Sequence, residues 1–186
     1  MTTRILSAIG LLAAFAGISP VRAVASPQTD DVAPAFALNT LDGKSVELKQ
    51  LITQKPVLLV VLRGWPGYQC PNCTRQVHDF VMHAADFADQ NVQVVMVYPG
   101  PAAALMTHAQ TFLKDKAWPK EFLFVVDPDY TFTNTYGLRW EAKGETAYPS
   151  TFIIDQAGKV RFAKISQTHG GRLSATAALD AVRASK

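Results

Sequence analysis

Cysteine is scarce in this chain: among 186 residues there are two, Cys70 and Cys73. A secreted domain that staples its loops needs more of them, spaced further apart. A closed structural zinc site wants four ligands, which two cysteines alone do not supply. Net charge is also low. The formal +3 includes Arg4 and Arg22, and without them 16 basic residues face 15 acidic ones. No basic run interleaves with aromatics, so the clustered Lys and Arg of a nucleic-acid surface are missing. There is no internal repeat, and no low-complexity stretch beyond the first residues. The longest apolar run, residues 5–18, is too short to cross a bilayer comfortably.

That run has the makings of an export signal. Arg4 gives a positive start, Ser19-Pro20 breaks the apolar core, and Ala23-Val24-Ala25 offers small residues for cleavage. The expected signal peptide is residues 1–25, with an uncleaved anchor as the alternative. No cysteine stands near the cut, as a bacterial lipid anchor would need. Cleavage leaves 161 residues, enough for one domain with a real core and no membrane span. Residues 26–32 are polar and hold Pro27, and the expectation is a loose leader. The domain then runs over residues 33–186, and a periplasmic or secreted location follows from export.

Strand-like and helix-like segments alternate in the domain. Residues 36–48 carry Asp42-Gly43 between two apolar stretches, which predicts a hairpin. Residues 57–62 are continuously apolar and β-branched, as in a strand buried on both faces. Val77, Phe80, Val81, Ala84 and Ala88 fall at helical spacing. A buried strand over 92–98, a helix striped by Leu105, Ala109, Phe112 and Leu113, and a strand over 122–126 come next. Asp127-Pro128-Asp129 reads as a strand-ending turn with a helix cap. A second hairpin turns at residues 155–158, and a closing helix spans 173–182. The expected fold class is α/β: a central mixed β-sheet with helices on both faces and an N-terminal hairpin.

Cys70-Pro71-Asn72-Cys73 sits after the first buried strand, at the start of a helix. A pair this close closes almost no loop, so a purely structural disulfide would stabilise little. A dithiol that opens and closes is the natural use, and C-x-x-C in this setting reads as a thioredoxin-like redox centre. A helix N-terminus favours the thiolate, which is the attacking species. Pro71 suits the first turn because its missing N–H has no partner there. Arg75 stands one helical step on and adds positive potential.

These residues carry a family resemblance. Ala33-Pro34-Ala35-Phe36-Ala37-Leu38, the stretch Pro66 to Cys73 with Thr74 and Gln76, and Tyr148-Pro149-Ser150-Thr151-Phe152-Ile153-Ile154-Asp155 resemble the thioredoxin-fold redoxins. That group holds the peroxiredoxins of the alkyl hydroperoxide reductase and thiol-specific antioxidant type, together with exported thioredoxin-like reductases. The resemblance covers about residues 32–166 and implies a thioredoxin-like redoxin domain. It implies a thiol oxidoreductase that needs no cofactor, takes electrons from a partner thiol protein and passes them to a protein disulfide or a peroxide.

The two branches assign the cysteines differently. Pro66 and Cys73 keep the peroxiredoxin spacing, with Cys70 where that family has Thr. On that reading Cys73 attacks peroxide and Cys70 resolves. On the thioredoxin-type reading Cys70 attacks and Cys73 closes the disulfide. Tyr148-Pro149 stands where peroxiredoxins carry an active-site Arg, and it resembles the substrate-binding cis-proline of the reductases. Arg63 and Arg139 are candidates to replace the missing Arg. The balance of these features leans to disulfide exchange over peroxide reduction. A different class remains open, a non-catalytic carrier of a partner or of copper held by Cys70, Cys73 and His169, although His169-Gly170-Gly171 reads more simply as a turn. His78 and His83 fall on different helix faces and do not suit a joint metal site. Trp65 and Trp140 are candidates to wall the cleft.

Overall fold

The computed structural model describes residues 24–186. The export reading falls mostly on residues 1–23, outside the described residues. The first hairpin forms at Asp42-Gly43, joining β1 (Ala37–Thr40) to β2 (Ser45–Glu47), and a short helix α1 (Leu48–Ile52) follows it directly. Then come β3 (Val57–Val61), α2 (Pro71–Met82), α3 (Ala84–Asp89), β4 (Gln93–Gly100) and α4 (Leu105–Leu113). The chain finishes with β5 (Leu123–Pro128), α5 (Thr131–Thr135), β6 (Ser150–Ile154), β7 (Val160–Ile165) and α6 (Ala175–Ala184).

The strands make one sheet in the order β2-β1-β5-β4-β3-β6-β7. The three central strands β5, β4 and β3 are parallel neighbours, and the flanking pairs are antiparallel. This is the mixed thioredoxin-like sheet expected. Successive side chains of a strand point to opposite faces, and β3 shows the consequence. Leu58, Val60 and Leu62 pack with Val77, Phe80, Ala109, Phe112 and Leu179 on one face. Val57, Leu59 and Val61 pack with Phe132, Tyr136 and Leu138 on the other. Both cysteines belong to the first of these clusters, which continues from the strand into α2.

Some boundaries differ from the sequence reading. The helix expected past Cys73 is two helices, broken at His83. Its ring Nδ1 lies 2.8 Å from the Asp79 carbonyl, while its backbone N–H bonds one residue later, to Phe80 O at 3.1 Å. The side chain thus occupies the carbonyl that a continuing α-helix would use. β4 extends through Pro99 and Gly100, because both pair in register with the end of β5. Asp127 caps as expected: its carboxylate accepts from the backbone of Phe132 at 2.8 Å and Thr133 at 2.9 Å, at the start of α5.

Residues 26–32 are not a loose leader. Asp30 N–H donates to Val160 O at 2.8 Å, Ala33 N–H to Gly158 O at 2.9 Å, and Ser26 Oγ to Gly137 O at 2.9 Å. The physical reason for residues 30–33 is the free edge of β7, whose unpaired backbone groups take up a passing segment. Among the described residues no helix is long and apolar enough to cross a membrane.

A two-faced core makes a simple prediction. Leu58 and Leu59 are both fully buried, on opposite faces of β3. Leu58→Ala and Leu59→Ala should each cost about 2–5 kcal/mol in urea unfolding, while Met82→Ala on the surface should cost well under that. A negligible cost at Leu59 would mean that the second face is not a packed core.

Candidate active site

Cys70 is the residue that caps α2. Its backbone is extended (φ −71°, ψ 116°), Pro71 follows at the first helical position, and Thr74 N–H closes the first turn onto Cys70 O at 3.1 Å. Cys73 comes one turn in and faces the core, with no exposed surface; Cys70 retains 2 % exposure. Both are free thiols. The strand-to-helix loop that delivers them is held tightly. Gly64 has φ +70°, and a Cβ there would stand 1.9 Å from the Pro99 carbonyl oxygen, so only glycine fits against β4. Gln69, just before Cys70, accepts from Tyr98 Oη at 2.9 Å and donates to His108 O at 2.8 Å.

The two sulfurs are unequal. The Cys73 thiol donates to the Cys70 sulfur, and this bond is the largest influence on Cys70. Burial opposes the charge, while the Cys73 backbone N–H, Arg172 and Arg63 favour it. The result is a Cys70 pKa lowered to about 5. For Cys73, burial in the core is the dominant effect, and the bond to Cys70 adds to it; its pKa is raised well above the ordinary thiol range. One sulfur is set up to carry charge, the other to keep its proton.

Two arginines stand at Cys70. Arg63 leaves the end of β3 with 2 % exposure. Burial works against its charge, but bonds to Glu145, Tyr68 and Cys70 outweigh that and hold the cation firmly. Its Nε donates to Glu145 Oε2 at 2.5 Å, Nη1 to Tyr68 Oη at 2.6 Å, and Nη2 to Gly144 O at 2.8 Å. The Thr146 hydroxyl donates to the Arg63 carbonyl, fixing the backbone as well. Arg172 arrives from the loop before α6. Its Nη2 lies 4.0 Å from Cys70 Sγ, Nη1 donates to Gln76 Oε1 at 3.0 Å, and Nε to His169 O at 3.0 Å.

Glu145 joins Arg63 to the loop that carries Arg172. Its second oxygen lies 2.8 Å from His169 Nε2. Burial opposes its charge, yet Arg63 and His169 prevail and hold its carboxyl below the usual range. Gln76 completes the circuit by donating to Leu173 O at 3.2 Å, which binds α2 to the loop carrying Arg172.

The sequence candidates divide accordingly. Cys70 and Cys73 are together, and Arg63 joins them. Arg139 does not: its guanidinium donates to the carbonyls of Trp140 at 2.6 Å and Thr146 at 2.5 Å, and lies over the Tyr130 ring. Arg75 is exposed and bonds Asn72. Tyr148 stacks on Trp140 (4.8 Å, 14°), which leans on His169 at 5.3 Å, so this aromatic pair borders the Glu145 network. Trp65 stacks on His108 at 3.6 Å.

The likeness of Pro149 to a cis-proline is corrected. Among the described residues no peptide bond is cis. Pro149 O already accepts from Ser166 N–H at 2.9 Å, Tyr148 N–H donates to Leu138 O at 2.9 Å, and Tyr148 O accepts from Ser150 Oγ at 2.8 Å. Each of these backbone groups already has a partner within the chain. The copper alternative fares no better. His169 is engaged by Glu145, and among the described residues no three His, Cys, Asp or Glu side chains converge as a metal site. Arg172 was missed from the sequence because nothing local marks it; it stands 102 positions from Cys70.

Such an arrangement can form a thiolate, stabilise developing negative charge beside it, and close a disulfide behind it. Residues 29–163 match the model of the AhpC/TSA family. A Mycobacterium tuberculosis protein named as a peroxiredoxin is 28 % identical over 149 residues, 77 % of this chain and 88 % of that protein. Among solved structures, peroxidoxin BcpB from Mycobacterium tuberculosis superposes with a TM-score of 0.65 at 24 % identity, over 85 % of this chain and 97 % of that one. Reduced Prx3 from Vibrio vulnificus, solved with hydrogen peroxide, gives 0.69 at 19 % identity, over 83 % and 97 %. With its family match spanning most of the described residues and its paired thiols at the head of α2, the chain belongs to the AhpC/TSA family and is a thiol-based oxidoreductase.

Proposed function

We propose that this protein is a thiol peroxidase in which Cys70 attacks the peroxide and Cys73 resolves the product. The observation that carries this reading is the placing of Arg172 Nη2 4.0 Å from the Cys70 sulfur, with the buried Arg63 also favouring its charge. The sequence lean toward disulfide exchange rested on a missing arginine, and Arg63 with Arg172 supplies that charge from other parts of the chain. Burial also favours peroxide. At 2 % exposure Cys70 admits two oxygen atoms more readily than the disulfide of a folded protein.

The Cys70 thiolate attacks one peroxide oxygen. An S–O bond forms, the O–O bond breaks, and the leaving oxygen takes a proton to become an alcohol or water. Arg63 and Arg172 stabilise the negative charge that passes onto that oxygen. Cys70 is left as a sulfenic acid, two electrons oxidised. The Cys73 thiol then forms the S–S bond and water leaves. A thiol reductant restores the dithiol, so no cofactor is required. Cys73 is a poor first attacker because its sulfur is fully buried and holds its proton. Disulfide exchange through Cys70 remains chemically open to the same couple, with a partner thiol protein as donor. The Arg4 and Ala23-Val24-Ala25 pattern supports export to the periplasm or beyond.

Cys70→Ser should therefore abolish peroxide consumption. Cys73→Ser should leave a sulfenic acid on Cys70 that a dimedone-type probe captures. A sulfenic acid on Cys73 in the Cys70→Ser protein would reverse the roles. The arginines give a second expectation. Arg63→Gln should lower the rate constant for peroxide about a hundredfold. It also strips a buried ion pair, so Arg172→Gln, on a more accessible side chain, checks the same charge with less risk to folding. Its expected loss is about tenfold, and an unchanged rate in both variants would remove the arginines from the chemistry.

A further inference from the structure

When Cys70 attacks a peroxide, the leaving oxygen must gain a proton, and most groups packed round the sulfur have none to give. The Cys73 thiol already bonds the Cys70 sulfur and holds its proton in the core. The Tyr98 hydroxyl donates to Gln69 Oε1 at 2.9 Å, and Gln69 Nε2 donates to His108 O at 2.8 Å. Gln76 Nε2 donates to Leu173 O at 3.2 Å, and His169 Nε2 lies against Glu145. Arg63 and Arg172 stay charged, so they offer hydrogen bonds rather than protons.

Tyr68 differs. It stands two residues before Cys70 on the loop from β3, and Arg63 Nη1 donates to its hydroxyl at 2.6 Å. A guanidinium only donates, so the phenol oxygen accepts there and its own O–H is left over. Among the described residues no acceptor takes that hydrogen. The side chain is nearly half exposed, so water can restore a proton that it gives away. The Arg63 guanidinium lies 5.2 Å from the centre of the Tyr68 ring and also bonds Cys70. Phenol and sulfur thus meet on one rigid planar group.

We propose that the Tyr68 hydroxyl is a further catalytic group, the acid that protonates the leaving oxygen of the peroxide. The inference rests on the peroxidase reading and names the proton source of that step. As the S–O bond forms and the O–O bond breaks, Cys70 loses two electrons and the leaving oxygen gains them. That oxygen takes the Tyr68 proton and departs as water or an alcohol. A phenol is a much stronger acid than water, so the transfer runs downhill. The phenolate forms against Arg63, whose charge stabilises it, and regains a proton from solvent.

Two oxidants separate this role from a structural one. Hydrogen peroxide must expel hydroxide unless a proton is supplied, whereas peracetic acid expels acetate, a stable anion that needs none. Reduced wild type and Tyr68→Phe are each mixed with both oxidants in a stopped-flow instrument. Phe keeps the ring beside Arg63 and removes only the hydroxyl. The rate constant for hydrogen peroxide should fall about a hundredfold and that for peracetic acid much less, so their ratio shifts toward the peracid by about tenfold or more. The Cys70 thiolate midpoint should be the same in both proteins, because Arg63 keeps its bonds to Glu145 and Gly144. Equal losses with both oxidants, no loss with either, or a midpoint that rises in Tyr68→Phe would reduce Tyr68 to a partner of Arg63 and overturn the proposal. Wild type that reacts with neither oxidant at Cys70 would instead overturn the peroxidase reading.

Discussion

A negative charge held on a nearly buried sulfur is the constraint around which this molecule is arranged. A thiolate in an apolar core is costly unless donors and cations meet it. Cys70 is met from three directions: the Cys73 thiol and N–H from inside the helix, Arg63 from the end of β3, and Arg172 from the loop before α6. Bringing two arginines to one place has its own electrostatic cost, because like charges repel. Glu145 offsets it by bonding Arg63 directly and by holding, through His169, the loop that carries Arg172.

Sheet topology makes that convergence possible. β3 lies between β4 and β6, so the loop leaving β3 runs over two neighbours at once. Against β4 it is fixed by Gly64 at Pro99 and by Gln69 at Tyr98. Residues 144–146, which lead into β6, meet it through Gly144, Glu145 and Thr146, all bonded to Arg63. β7 pairs with β6 and sends the chain back over α2, where Gln76 receives Arg172. The hydrophobic face beneath supplies rigidity, with Val77 and Phe80 of α2 packed on Leu58 and Val60.

Much of this was legible in the sequence, for particular reasons. β3 announces itself as an unbroken apolar run, α4 by its 3.6-residue stripe, and both hairpins by their Asp-Gly and Asp-x-x-Gly turns. The dithiol is legible because C-x-x-C after a buried strand has few other uses. What was not legible is non-local. α1 and α5 are five residues each, too short to show a period. The break at His83 depends on a side chain taking a carbonyl, and the seating of residues 26–32 depends on an edge 130 positions away, as the Asp30 to Val160 bond shows. Arg172 follows two glycines in what reads as a plain turn, and its place at Cys70 exists only once β7 has paired. Of the two arginines the sequence offered, Arg63 reaches the site and Arg139 does not, while Arg172 carried no local signal at all.

The central claim is that the reduced protein carries its charge on Cys70 and keeps its proton on Cys73. Thiolate ultraviolet absorbance, followed against pH, measures this directly. Wild type and Cys73→Ser should both show a thiolate that Cys70→Ser lacks. In wild type its midpoint should lie near pH 5, with the thiolate lost as pH falls below that value. The midpoint should be higher in Cys73→Ala, because the group that donates to the Cys70 sulfur is then gone. A wild-type midpoint in the ordinary thiol range, or a low-pH thiolate that survives in Cys70→Ser, would contradict the account.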